Sequence, residues 1–179
     1  MILPRVQPPT FHGMILQTSQ PVTDFTLTAH TGERVNLSDF RGKWVVLYFG
    51  YTFCPDVCPL TLADLARALR LLEEGKAARV QVLMVSVDPE RDTPQRLAAY
   101  APAFHPTFLG LTGSEEELAA AATPLGIYYA RQPVEGASGY LVDHTASVTV
   151  LDDQGRVRLL WPFGISAEMM AEDLGGLVR

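Results

Sequence analysis

The chain of 179 residues has two cysteines, and they stand four positions apart in the run Tyr51-Thr52-Phe53-Cys54-Pro55-Asp56-Val57-Cys58-Pro59. A strongly apolar run, Trp44 to Phe49, leads into them, and a helical pattern, Thr61 to Leu72, leads out. Strand, turn, two thiols and helix place sulfur where backbone N–H groups point outward and a partial positive charge gathers. A thiolate there is stabilised and its pKa should fall. Thiolates are soft ligands that suit copper(I) and zinc, and they are also the nucleophiles of disulfide exchange. The bland alternatives are a buried filler and a structural disulfide. A filler has no need of a proline after each cysteine, and a four-residue staple closes too small a loop to stabilise much. Neither thiol has another intramolecular partner.

On a helical turn, residues i and i+4 lie one above the other with Cβ atoms about 5–6 Å apart. That spacing lets two sulfurs share one metal, and with rearrangement lets them join. Two thiolates alone leave a metal short of ligands, and imidazole is the common third donor. Four histidines compete for that role. His12 in an irregular N-terminal stretch and His30 in a hairpin turn read as surface residues. His105 lies in a loop between helix and strand. His144 follows Asp143 at the mouth of an expected strand, Thr145 to Leu151, where its side chain can face the first helix. Asp143 is then a candidate to orient the loop or the imidazole; the competing reading is a structural histidine. A second polar stretch, Ser86-Val87-Asp88-Pro89-Glu90-Arg91-Asp92-Thr93-Pro94, ends a central strand, where ligand crevices of α/β sheets tend to lie. It reads more simply as a helix cap at Asp92 or Thr93 with Arg91 paired to a neighbouring carboxylate.

These residues must be carried by a scaffold. Residues 1–20 show no periodicity and read as a flexible arm; residues 21–179 read as a single domain. Asp24 to Thr28 and Arg34 to Leu37 form a hairpin pattern. Trp44 to Gly50 and Val80 to Val87 are buried strands, followed respectively by helices over Pro59 to Leu72 and from Pro94 to about Tyr100. A short strand at Thr107 to Leu109 precedes a helix capped at Ser114 that runs to about Thr123. Hairpins are expected over 127–142 and over 145–161, and a helix over Ser166 to Leu177 closes the chain. Strands alternating with helices, then terminal hairpins, mean an α/β sandwich on a mixed sheet. The apolar fraction of 47% and charged fraction of 19% fit a globular domain. The net charge of -6 argues against nucleic-acid or anionic-membrane surfaces. No stretch reaches the length of a membrane span, and no signal-peptide pattern is present.

Three motifs taken together are specific: Phe49-Gly50-Tyr51-Thr52-Phe53-Cys54-Pro55-Asp56-Val57-Cys58-Pro59, then Val87-Asp88-Pro89-Glu90-Arg91-Asp92-Thr93-Pro94, then Val142-Asp143-His144-Thr145. In this order and spacing the sequence resembles the Sco (SenC) family from about Pro21 to Arg179. The resemblance implies a thioredoxin-like three-layer sandwich, with a mixed central sheet, an N-terminal hairpin and an additional inserted hairpin. It implies one copper per chain, Cu(I) or Cu(II), held by Cys54, Cys58 and His144. It further implies a role in assembling the dinuclear copper centre of cytochrome c oxidase subunit II, with a copper donor protein as a further partner. A monomer is expected. So is a place on the outer face of the plasma membrane or in the periplasm, with a natural precursor anchored upstream of this chain.

Three functions compete on the same residues. The first is a copper-binding assembly factor. The second is a dedicated thiol-disulfide oxidoreductase, with Cys54 and Cys58 catalytic, that keeps the copper-ligand cysteines of that subunit reduced. The third is a peroxiredoxin-type peroxidase, which is disfavoured. Peroxiredoxins place Thr or Ser three residues before the reactive cysteine and Pro seven before it, where this chain has Tyr51 and Leu47. A general disulfide reductase of thioredoxin type is also disfavoured, because Asp143-His144-Thr145 lacks the proline found at that place.

Overall fold

A computed structural model describes residues 10–135 and 139–179. In chain order the elements are β1 (Met14–Ile15), β2 (Thr26–Ala29), β3 (Arg34–Asn36), β4 (Trp44–Gly50), α1 (Val57–Leu71), the single turn α2 (Glu74–Ala77), β5 (Val80–Ser86), α3 (Pro94–Phe104), β6 (Leu109–Thr112), α4 (Glu115–Ala122), β7 (Tyr129–Pro133), β8 (Tyr140–His144), β9 (Val148–Leu151), β10 (Val157–Trp161) and α5 (Ala167–Leu177).

The two longest apolar runs became adjacent parallel strands, β4 and β5, in register from Trp44–Val80 to Gly50–Ser86. Near-continuous hydrophobicity is what a strand covered on both faces requires, and Val46, Leu47, Tyr48, Val82 and Leu83 are fully buried. The eight-stranded sheet runs β1-β10-β9-β4-β5-β6-β2-β3. β4, β5 and β6 are parallel, and the rest are antiparallel. Gly50 faces α1 and Gly110 of β6 faces Leu97 and Ala101 of α3, so both helices cover one face, with α5 packed against α1. α4 packs on β2, whose Ala29 pairs with Leu111 and therefore points to the other face. The result is the expected α/β sandwich on a mixed sheet. The N-terminal hairpin β2–β3 is built into its edge, while β7 and β8 form a separate two-stranded ribbon.

Four boundaries differ from expectation. α1 begins at Val57, so Cys58 lies in its first turn; Pro59 fits there because first-turn N–H groups have no intrahelical acceptor. α3 continues through Pro102 to Phe104. His144 ends β8 of the separate ribbon, opposite Tyr129, and β9 starts only at Val148. Part of the expected N-terminal arm is docked, since Met14 and Ile15 pair with Leu160 and Leu159. Just before them, the backbone N–H groups of His12 and Gly13 donate to the buried Asp173 carboxylate at 2.9 and 3.0 Å. Residues 1–9 and 136–138, the latter part of the connection expected within the 127–142 hairpin, lie outside the described residues.

Candidate metal centre

The carboxyl end of β4 and the start of α1 bring the two sulfurs together. Cys54 precedes the helix, and the Cys58 N–H donates to Cys54 Sγ at 3.4 Å. The thiol thus takes up one of the helix's orphan first-turn donors, a task Asp56 at the cap position does not perform. The sulfurs are not stacked on one helical turn, as spacing alone suggested; one is in the helix and the other caps it. Room for Cys58 comes from Gly50, where a Cβ would stand 3.0 Å from the sulfur and 2.8 Å from the Tyr48 ring.

The β7–β8 ribbon delivers the third group. His144 Nε2 lies 3.3 Å from Cys58 Sγ. Its Nδ1 sits 3.0 Å from the Thr145 carbonyl, and only a protonated Nδ1 can bond there. That fixes the tautomer and leaves the Nε2 lone pair facing the sulfur. Asp143 is exposed and makes no hydrogen bond to the imidazole; the orienting acceptor expected from it is the backbone of Thr145. Tyr48 and Tyr51 meet the His144 ring edge-on, with centroids 6.1 and 5.9 Å away. Cys54 Sγ, Cys58 Sγ and a His144 nitrogen all lie within 4.8 Å of one another. Both cysteines are free thiols.

Burial sets the protonation of the site. It pushes the Cys58 thiol up to about 12, so the helix terminus does not lower this thiol as expected: desolvation of a buried thiolate outweighs the dipole. Burial also depresses the His144 pKa, against smaller upward pulls from the Thr145 carbonyl and Asp143. The imidazole is therefore neutral, the form that binds metals.

The other histidines are engaged elsewhere. His12 Nε2 meets Glu172 at 2.6 Å, His30 Nδ1 accepts from the Gly110 N–H at 3.0 Å, and His105 Nδ1 pairs with the Thr107 hydroxyl at 2.8 Å.

The polar stretch at 86–94 does more than cap a helix. Thr93 is indeed the cap, accepting from the Arg96 N–H at 3.2 Å. Asp92, fully buried, accepts from the Thr52 N–H at 2.9 Å, the Thr52 hydroxyl at 2.6 Å and the Ser86 hydroxyl at 2.7 Å. It thereby fixes the loop that carries Cys54. Asp88, also fully buried, pairs with Arg91 and accepts from the Tyr140 hydroxyl at 2.6 Å. Arg91 lies over Tyr140 at 3.8 Å and Phe53 at 4.5 Å. One carboxylate thus holds the cysteine loop, and the other holds the ribbon bearing His144. The sequence signal was two acids four apart at a strand end, and the expected pairing of Arg91 with a neighbouring carboxylate is present at Asp88; the partners that tie the acids to the site, Thr52 and Tyr140, are 40 and 52 positions away and carry no local pattern.

The donors suit a soft, low-coordinate ion: two sulfurs and a neutral imidazole with a free lone pair. They equally suit two-sulfur redox chemistry. Comparison with known proteins bears on both. The SCO1/SenC family profile matches residues 14–179. A bovine protein named SCO2 homolog, mitochondrial, is 41% identical over 152 residues, covering 84% of this chain and 57% of its own length. The chain thus spans little more than half of that relative. The solution structure of apo Sco1 from Thermus thermophilus aligns with a TM-score of 0.83 at 47% identity, covering 94% of this chain and 97% of that one. The crystal structure of Arabidopsis thaliana ScoI with copper bound aligns with a TM-score of 0.81 at 35% identity, covering 87% and 96%.

Proposed function

The chain belongs to the SCO1/SenC family, and on that premise we propose that it is a copper-carrying assembly factor for cytochrome c oxidase. It holds one copper ion at Cys54, Cys58 and His144 and passes it as cargo to the dinuclear copper centre of subunit II. The observation that carries this reading is the convergence of the three donor groups within 4.8 Å, from three separate elements. Thiolate and imidazole are the ligands that copper(I) prefers. The copper in the Arabidopsis relative supports the choice of metal. Cys58 is buried, whereas Cys54 and His144 are partly exposed, so incoming ligands can approach from one side and exchange for them stepwise. All three ligands come from one chain, so a monomer suffices. A copper donor protein and a location on the outer face of the plasma membrane or in the periplasm complete the reading.

A second reading is favoured by the same difference in exposure. As a dithiol reductant, partly exposed Cys54 attacks a disulfide of the target subunit, releasing one target thiolate. Cys58 then attacks the mixed disulfide and releases the second. The target gains two electrons and two protons, and the chain is left with a Cys54–Cys58 disulfide. Both roles use the same sulfur atoms, so oxidation must abolish tight copper binding. Copper affinity and free thiols are measured on the same samples across a redox titration. The expected result is that both fall together; full affinity in a sample with no free thiols would place the metal elsewhere.

A further inference from the structure

Tyr48 is fully buried under the centre, yet its hydroxyl has no hydrogen-bond partner among the described residues. A buried, unpaired hydroxyl costs about 1–3 kcal/mol, so its retention calls for an explanation. Its ring lies against Gly50, beside the Cys58 sulfur, and meets His144 edge-on with centroids 6.1 Å apart. Tyr48 Cζ, which carries the hydroxyl, and Cys58 Sγ lie 3.4 and 3.0 Å from one point, the place a Cβ would take at Gly50, so the phenol end of the ring is on the side of the sulfur. Thr61 donates its own proton to the Val57 carbonyl at 2.8 Å, and no acceptor, the Thr61 oxygen and the Cys58 sulfur included, meets the phenol in hydrogen-bond geometry. Cys58, in turn, has His144 Nε2 at 3.3 Å as the group facing its thiol. In the metal-free protein the phenol proton is therefore spare.

We propose that Tyr48 is a positioning residue for the metal-bound state, donating its O–H to Cys58 Sγ when that sulfur becomes a metal-ligating thiolate. A thiolate is a better acceptor than a thiol, and charge-assisted hydrogen bonds are about twice as strong as neutral ones. A bound metal would take the place of the thiol proton, which leaves to solvent, and would engage the His144 Nε2 lone pair; the Cys58 sulfur would then be an anionic acceptor beside the Tyr48 phenol. The bond draws electron density from the sulfur, orients its lone pairs and tunes the metal–thiolate bond, as outer-shell partners do. This assignment rests on the metal reading proposed above.

The test is Tyr48→Phe, which removes one oxygen and keeps the ring. Removing the donor raises the energy of the sulfur lone pairs, so the sulfur-to-copper(II) charge-transfer band should move to lower energy. Copper(I) affinity by chelator competition should fall about ten- to hundredfold, the size of one hydrogen bond to a charged group. The metal-free melting temperature should stay level or rise, because an unpaired polar group is lost. A wild-type-like band and affinity in the variant would overturn the assignment while leaving the metal site standing. A lowered metal-free melting temperature would also overturn it, showing the hydroxyl to be a structural group. Wild-type protein that takes up no copper would overturn the metal reading, and this assignment with it.

Discussion

Cys54, Cys58 and His144 were legible as candidates because metal and redox chemistry need particular side chains, and this chain offers only two thiols and four imidazoles. What spacing did not reveal was how they are held. Asp143 stood next to the histidine in sequence, yet β8 turns it outward and the Thr145 carbonyl takes the Nδ1 proton. Nor did a helix terminus acidify Cys58, because burial removes the water that a thiolate needs. This reversal yields a pH prediction. With the thiol raised to about 12, copper must displace its proton throughout the accessible range. Apparent copper affinity should rise with pH by about tenfold per unit from the Cys58 proton alone. The depressed pKa of His144 keeps the imidazole neutral above its ordinary value of 6.5, so it should add no further slope there. Chelator competition across mildly acidic to mildly basic pH checks this, and a flat profile would show that Cys58 does not ligate.

Strong periodicity and capping residues made the main elements readable: the apolar runs of β4 and β5, the helical pattern of α1, Ser114 as one cap and Asp92 or Thr93 as another, of which Thr93 is the cap observed. The connection between elements was less readable. His144 was expected to head the long strand β9, but the pairing of β8 with β7 extends to it, and residues 145–147 bridge the ribbon to the sheet. The roles of Asp88 and Asp92 at the site were hidden for the same reason: Tyr140 and Thr52, the partners through which they act there, are remote in sequence. The consequence can be measured by comparing neighbours at the start of α3. Asp92→Ala deprives three donors, one buried at Ser86 and two half-buried at Thr52, of their acceptor and should destabilise the fold by about 3 kcal/mol. It should also weaken copper binding, because the Thr52 loop that carries Cys54 loses its anchor. Thr93→Ala removes only a helix cap and should cost about 1 kcal/mol with copper affinity intact. Denaturant unfolding and chelator competition on both variants would separate the clamp from the cap; equal effects on copper would sink the distinction.

For the whole molecule, strands alternating with helices sufficed for the α/β class, since parallel strands need crossovers and helices then cover the sheet. The docking of the first described segment was not visible. A two-residue strand has no period, and Asp173, which gathers the N–H groups of His12, Gly13 and the Trp161 indole, belongs to the last helix. The molecule is thus a mixed sheet in which the end of the inner strand β4 meets three candidate ligands, supplied by a loop, a helix terminus and a ribbon. Among the described residues no helix is long and apolar enough to cross a membrane. The central claim, that these three side chains form a single copper site, is tested most directly by anaerobic copper(I) titration of reduced protein against a chelator. Wild type should bind one copper per chain, Cys54→Ala and Cys58→Ala should lose tight binding, and His144→Ala should weaken it while staying folded. Near-normal copper in Cys58→Ala would contradict the account.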